Sequence, residues 1–302
     1  MRAFIEAGTR VVTSYPGSPT PEIAEAIRAI PASDRPFYFE FSVNEKVATE
    51  VAYGASVNGH FSTVFFKSVG LNVAADTFVQ LGLMELTGGM VVVLGDDPGA
   101  NSSQNEQDNR HIAAMSYIPV LEPATPKEAY EMYREAARLS QERRMPIVLR
   151  LTTHVCHQKQ KVGFGPWSPA PLDGTPRFDG KGAGYIPLTA TVHPLKRRAL
   201  SKLSAFAHDA DSSAANRLDD NGNRERGIVT AGLPYLSVLD VLEEAKRKLD
   251  ILKLGVVHPL PRGLVKSFLA THGEVKVIEE LDPFLENQIK ALACDERLST
   301  RT

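Results

Sequence analysis

The chain has 302 residues, 43% hydrophobic and 23% charged, which is enough to bury a sizeable core in two domains. A net charge of −2 gives no electrostatic basis for a nucleic-acid or membrane-surface partner. No apolar run reaches the length of a membrane span, and Met1-Arg2-Ala3-Phe4-Ile5-Glu6 lacks the apolar stretch of a signal peptide, so a cytoplasmic location is expected.

Val11 to Tyr15 reads as a strand, which Pro16-Gly17-Ser18-Pro19 turns into a helix over 21–30 with Thr20 as N-cap and Pro21 at its first position. A second strand, Phe37 to Phe41, runs straight into a helix over 44–58 whose first turn holds Glu45. Two readings of Glu45 are open. Ser42-x-x-Glu45 is a capping box, in which the carboxylate would reach back to the Ser42 backbone N–H. A carboxylate beyond the carboxyl end of a strand is also where open α/β sheets bind ligands. The small residues Ala52, Gly54, Ala55 and Ser56 permit close approach along this helix.

Residues 60–66 read as a strand, 72–84 as a helix and Met90 to Leu94 as a buried strand opening into Gly95-Asp96-Asp97-Pro98-Gly99. Asp96 and Asp97 are read as loop-capping residues. The polar run 101–110 has no apolar period, and its amide, hydroxyl and guanidinium groups suit a carboxylate or phosphate ligand. Strands over 120–122 and 147–151 flank a helix over 126–142. This alternation predicts a doubly wound parallel-sheet α/β domain over residues 1–160.

Residues 161–226 are expected to form a linker or insertion, because Pro166, Pro169, Pro171 and Pro176 stand among many Gly, Asp, Asn and Ser residues. One helix over 194–208 is expected there, with Lys196-Arg197-Arg198 on a solvated face. A smaller α/β domain over 227–293 follows, with strands at 228–230, 251–254 and 275–278, helices at 237–248, 262–270 and 284–293, then a tail over 294–302. Cys156 and Cys294 lack C-x-x-C spacing and are read as packed or surface thiols that cannot ligate an iron–sulfur cluster. His111, His154 and His157 lack metal-ligand spacing, and no metal site is expected on this chain.

Four ordered motifs, Tyr15-Pro-Gly-Ser-Pro, Ser42-Val-Asn-Glu-Lys-Val-Ala, Val69-Gly-Leu-Asn-Val-Ala-Ala-Asp76 and Ser102-Ser-Gln-Asn-Glu-Gln-Asp-Asn-Arg110, together resemble the indolepyruvate:ferredoxin oxidoreductase alpha-subunit family. These are thiamin-diphosphate enzymes among the 2-oxoacid:ferredoxin oxidoreductases. The resemblance covers about residues 2–163 and resumes over 227–292, where Leu254-Gly255-x-x-x-Pro259-Leu260-Pro261 and Glu279-Glu280-Leu281-Asp282-Pro283-Phe284 also fit. It implies a thiamin-diphosphate pyrimidine-binding domain followed by a transketolase C-terminal-like α/β domain that contacts other subunits.

The resemblance also implies site residues. Glu45 would be the catalytic glutamate that hydrogen-bonds the aminopyrimidine ring and activates the cofactor. Gly17 and Ser18 would lie at the cofactor, with Ser18 also at the substrate, and Asn105 and Arg110 are candidates for orienting the substrate carboxylate. Ser68 departs from the family, in which histidine is expected. In the family the alpha subunit is about twice as long, and its distal half carries the diphosphate-binding domain and cluster cysteines. Here no Gly-Asp-Gly turn with a following Asn can be defended. Thiamin diphosphate would therefore be shared with a partner chain carrying the magnesium and the iron–sulfur clusters, in an oligomer. The implied reaction is oxidative decarboxylation of an aryl 2-oxoacid, such as indolepyruvate, to an acyl-CoA with coenzyme A and ferredoxin. Two alternatives stay open. A non-catalytic truncated relic or scaffold subunit is favoured by Ser68 and the end at Ala293-Cys294-Asp295-Glu296-Arg297, and an oxidoreductase for another 2-oxoacid is the second.

Overall fold

The protein is described by a computed structural model over residues 1–169, 175–181 and 183–302. The chain opens with α1 (Arg2–Glu6), β1 (Val11–Ser14), α2 (Pro21–Arg28), β2 (Tyr38–Phe41), α3 (Glu45–Val57), β3 (Ser62–Lys67), α4 (Gly70–Leu81) and β4 (Met90–Asp96). It continues through α5 (Asn109–Met115), β5 (Val120–Leu121), α6 (Pro126–Arg143), β6 (Pro146–Thr152) and α7 (Thr153–His157). These six strands are parallel and lie in the order β2-β1-β3-β4-β6-β5. Sequential strands leave β1 in opposite directions, so the switch point of the sheet falls between β1 and β3.

Burial explains the sequence of the central strands. Every residue of β4 and β6 is buried, which is why both read as continuous Val, Ile and Leu runs rather than alternating ones. Val92 and Leu94 join the core beneath α3, α4 and α5, whereas Val91 and Val93 join the core beneath α1, α2 and α6. Strand β2 closes one edge and leaves Tyr38 and Phe41 exposed.

Helix α8 (Val192–Ala210) leads to β7 (Arg217–Asp219), β8 (Arg226–Ala231), α9 (Pro234–Glu244), β9 (Asp250–Leu254), β10 (Val256–His258), α10 (Arg262–Ala270), β11 (Glu274–Ile278) and α11 (Phe284–Asp295). The second sheet has the order β11-β8-β9-β7, with β7 antiparallel to β9. Strand β10 leaves it and pairs antiparallel with β5, becoming the seventh strand of the first sheet.

Several expectations are corrected by this arrangement. Within 161–226 the expected helix is α8, and it packs against the rest of the chain: its Leu195, Ala199 and Phe206 are buried, and Lys202 donates to Glu85 at 2.9 Å. Of the prolines cited there, Pro171 lies outside the described residues. Thr20 is the N-cap residue of α2, with Pro21 following it, but its hydroxyl donates to the Gly17 carbonyl at 2.9 Å and makes no cap bond to the helix. Asp97 fills the role of a loop cap, accepting from the Ser102 N–H at 2.7 Å and the Thr153 hydroxyl at 2.6 Å. Asp96 does not: it ends β4 fully buried, paired with Arg150 Nε at 2.6 Å and accepting from Asn109 at 2.5 Å. Arg150 Nη1 lies 2.7 Å from Glu122 on the far side, so one buried guanidinium holds two carboxylates. No helix among the described residues is long and apolar enough to cross a membrane.

Glu280 stands beside this cluster, and burial pushes its carboxyl up to about 7. A carboxyl raised in the fold contributes stability that is complete below the ordinary carboxylate range and lost as pH rises through about 7. Thermal melts between pH 5 and 8 should therefore show Glu280→Gln losing less stability on alkalinisation than the unmodified chain, by about 2 kcal/mol. Equal slopes for the two proteins would contradict this.

Candidate active site

Glu45 is the first residue of α3, which follows β2, and its side chain reaches Gly70, just beyond the end of β3. The N-cap is Asn44, whose side chain accepts from the Val47 N–H at 2.9 Å. Ser42 instead donates to Glu40 at 2.6 Å. The capping-box reading is thereby excluded, and the Glu45 carboxylate is left without a hydrogen-bond or ion-pair partner among the described residues. It is nevertheless only 6% exposed. Its place in the first turn of α3 sets it at the positive end of that helix.

Gly70 supplies the space for it. A Cβ at this position, the first of α4, would stand 2.5 Å from Glu45 Oε1 and 2.9 Å from its carboxyl carbon. The carboxylate therefore rests against bare backbone at the start of a second helix. Behind it, the Thr13 hydroxyl of β1 donates to the Ala48 carbonyl at 2.7 Å, and Ala48, Ala52 and Ser56 are fully buried. The small-residue string thus seats α3 closely on the sheet.

At the switch point, Gly17 meets the last residue of β3: a Cβ there would fall 2.6 Å from Lys67 Cδ. Ser18 follows at the mouth of a cavity of about 470 Å³ lined also by Phe41, Phe65 and Arg28. The polar run after β4 folds back over the same turn. Gln107 donates to the Ser68 carbonyl at 3.2 Å and to Asn72 at 2.9 Å, and Asn109 donates to the Ser68 carbonyl at 3.2 Å. Ser68 itself is buried, its hydroxyl 3.5 Å from that of Ser103. Gly17, Ser18, Glu45 and the polar loop therefore converge on one end of the sheet.

Asn105 is exposed on that loop and donates to Gln107 at 3.0 Å. Arg110 is corrected. Its guanidinium is fully buried, holds both Asp108 oxygens, reaches Glu279 at 2.9 Å and the Glu280 carbonyl at 2.7 Å, and lies 5.1 Å from the Phe284 ring centroid. Charge and hydrogen bonds are both satisfied within the protein, so Arg110 ties the two domains together rather than facing a substrate. The sequence reading missed Gly70 as the partner surface of Glu45. The signal was present, a glycine opening a helix directly after a buried strand.

The Glu45 carboxylate suits a ring nitrogen donor, since its acceptor capacity is not used by any of the described residues. Residues 2–209 match the pyruvate flavodoxin/ferredoxin oxidoreductase, thiamine diphosphate-binding family. The chain belongs to this family. The match runs past residue 160 and takes in α8, in line with the packing of that helix. Indolepyruvate oxidoreductase subunit IorA of Methanothermobacter thermautotrophicus is 42% identical over 299 residues, and that of Archaeoglobus fulgidus is 36% identical over 303 residues. These alignments cover 99% and 98% of this chain and 48% of each relative, so the chain spans about half the length of the curated relatives it matches. A 2-oxoglutarate:ferredoxin oxidoreductase structure from Magnetococcus marinus superposes with a TM-score of 0.74 at 17% identity, covering 99% of this chain and 59% of that one. A split-gene transketolase superposes with a TM-score of 0.56 at 14% identity, over 98% of this chain and 83% of that one. Both establish the fold: a pyrimidine-domain α/β sheet with a smaller transketolase-like α/β domain.

Gly70 gives the first test of this geometry. Gly70→Ala should displace the Glu45 carboxylate and lower thiamin-diphosphate-dependent activity of the full-length enzyme by about a hundred-fold, because misplacement of a reacting group by an ångström costs that much. Unchanged steady-state rates would show that Glu45 does not depend on this contact.

Proposed function

We propose that this chain is the pyrimidine-side portion of a thiamin-diphosphate-dependent oxidoreductase that decarboxylates an aryl 2-oxoacid, indolepyruvate being the acid its relatives are named for. One observation carries the reading: a buried, unpartnered Glu45 carboxylate against Gly70 at the switch point of the sheet. Bound thiamin diphosphate would supply the carbon nucleophile and the electron sink for decarboxylation.

The residues of this chain do the rest. Glu45 would hold the aminopyrimidine by a hydrogen bond that favours its reactive tautomer. Gly17, whose missing Cβ makes room for the Lys67 side chain, would lie at the cofactor in the turn after β1, and the Ser18 hydroxyl would face the substrate. The Gln107 and Asn109 amides fix the Ser68 turn, and Asn105 lies on the exposed side of that loop, where it would meet the substrate carboxylate. The diphosphate, magnesium and iron–sulfur sites are supplied from outside these 302 residues, with coenzyme A and ferredoxin as co-substrates and the cytoplasm as the setting. Burial pushes the half-buried Cys156 thiol up to about 12, which suits a packed cysteine rather than a cluster ligand.

The test is anaerobic viologen reduction by the full-length protein purified with its endogenous partners. Reduction that requires indolepyruvate, coenzyme A and thiamin diphosphate is expected. Reduction with a different 2-oxoacid alone would reassign the substrate, and none with any 2-oxoacid would leave the scaffold role.

A further inference from the structure

The cavity beside Ser18 has a wall chemistry of its own. Phe41, the last residue of β2, is 37% exposed on the strand that leads directly to Glu45. It is held by an aromatic stack: Phe39 meets it edge-on at 5.2 Å, and Phe39 lies parallel to the buried Phe65 at 6.2 Å. The Arg28 guanidinium lies over the Phe41 ring, 5.9 Å from its centroid, so the two form one wall of the cavity. Glu25, one turn earlier on α2, lines the same cavity. The Ser18 hydroxyl has no hydrogen-bond partner among the described residues.

We propose that this cavity receives the side chain of the 2-oxoacid, and that Phe41 with Arg28 selects a flat aromatic ring. The assignment rests on the function proposed above and names the residues that set its substrate class. An acid whose carbonyl end lies at Ser18 extends its side chain into the space between α2 and the end of β2. Its volume of about 470 Å³ lies in the range of ligand pockets, and a two-carbon or three-carbon side chain would leave most of it empty. An aromatic ring gains edge-to-face contact with Phe41 and the cationic face of Arg28. A dicarboxylic acid does not gain equivalently, because its distal carboxylate meets Glu25 as well as Arg28.

The experiment uses the full-length enzyme with its partners and compares kcat/KM for indolepyruvate and for 2-oxoglutarate. Phe41→Ala should lower the indolepyruvate to 2-oxoglutarate ratio about ten-fold, mostly through KM, the scale of a lost side-chain contact in an apolar specificity pocket. Glu25→Arg should lower the same ratio by favouring the dicarboxylic acid. If Phe41→Ala fails to assemble, Phe41→Leu and Glu25→Arg carry the comparison. Ratios within two-fold of the unmodified enzyme in an active complex would overturn the pocket alone. An unmodified complex inert toward every 2-oxoacid would overturn the underlying reading and the pocket with it.

Discussion

Glu45→Gln, introduced into the full-length partnered enzyme, should abolish 2-oxoacid-dependent viologen reduction, with a loss of at least about a thousand-fold. The amide keeps the size and the place against Gly70, and its oxygen can still accept a hydrogen bond, but it cannot take up or release the proton that shifts the pyrimidine. A positioned acid–base group is worth about 10²–10⁴ in rate. The same substitution should not weaken the fold. It replaces a carboxylate that is 6% exposed and unpartnered with a neutral group, so the melting temperature should stay level or rise. The two readouts separate a functional carboxylate from a structural one. A mutant that melts early and retains its activity would place Glu45 among the residues that hold the fold.

Arg150→Met should be the most damaging core substitution in the chain. The side chain is 0% exposed and sits between Asp96 and Glu122, both also buried. Asp96 carries a raised pKa because burial outweighs its attraction to Arg150, so the pair is held together against a strong preference for water. Removing the cation alone leaves two buried carboxylates facing each other, at a cost of about 3–5 kcal/mol. Chemical denaturation should register that loss as a lower midpoint. Adding Asp96→Asn and Glu122→Gln to Arg150→Met should restore part of it, since most of the penalty comes from the stranded charges. A single mutant within about 1 kcal/mol of the parent would mean that water already reaches this cluster.

Much of the fold is legible in the residues because local and tertiary preferences agree. The buried runs of β4 and β6, the Pro21 and Pro126 helix starts, and the strand–helix alternation all point the same way. Glu45 could be located by pattern, but its freedom could not. Whether Ser42 or Asn44 caps α3 depends on backbone angles, and that choice decides whether the carboxylate is engaged or left over. Arg110 shows the opposite case. A loop arginine among amides looks available for an anion, and only the contact with Glu279 and Phe284, some 170 residues away, shows that it is spent on joining domains. Strand β10 was invisible for the same reason: three residues carry no period, and their partner β5 is only two residues long.

That short strand changes how the molecule must be assembled. Because Val256 and His258 pair with Leu121 and Val120, the first sheet receives its last member only after three of the four strands of the second sheet have been threaded. Synthesis from the amino terminus therefore leaves the β5 flank as an open hydrogen-bonding edge until more than 130 further residues have emerged. Fragments cut between residues 161 and 226 would keep that edge exposed and should associate or precipitate, whereas a fragment extending through β11 and α11 closes it. Expression of the pyrimidine domain in isolation is thus governed by three residues that lie outside it in sequence.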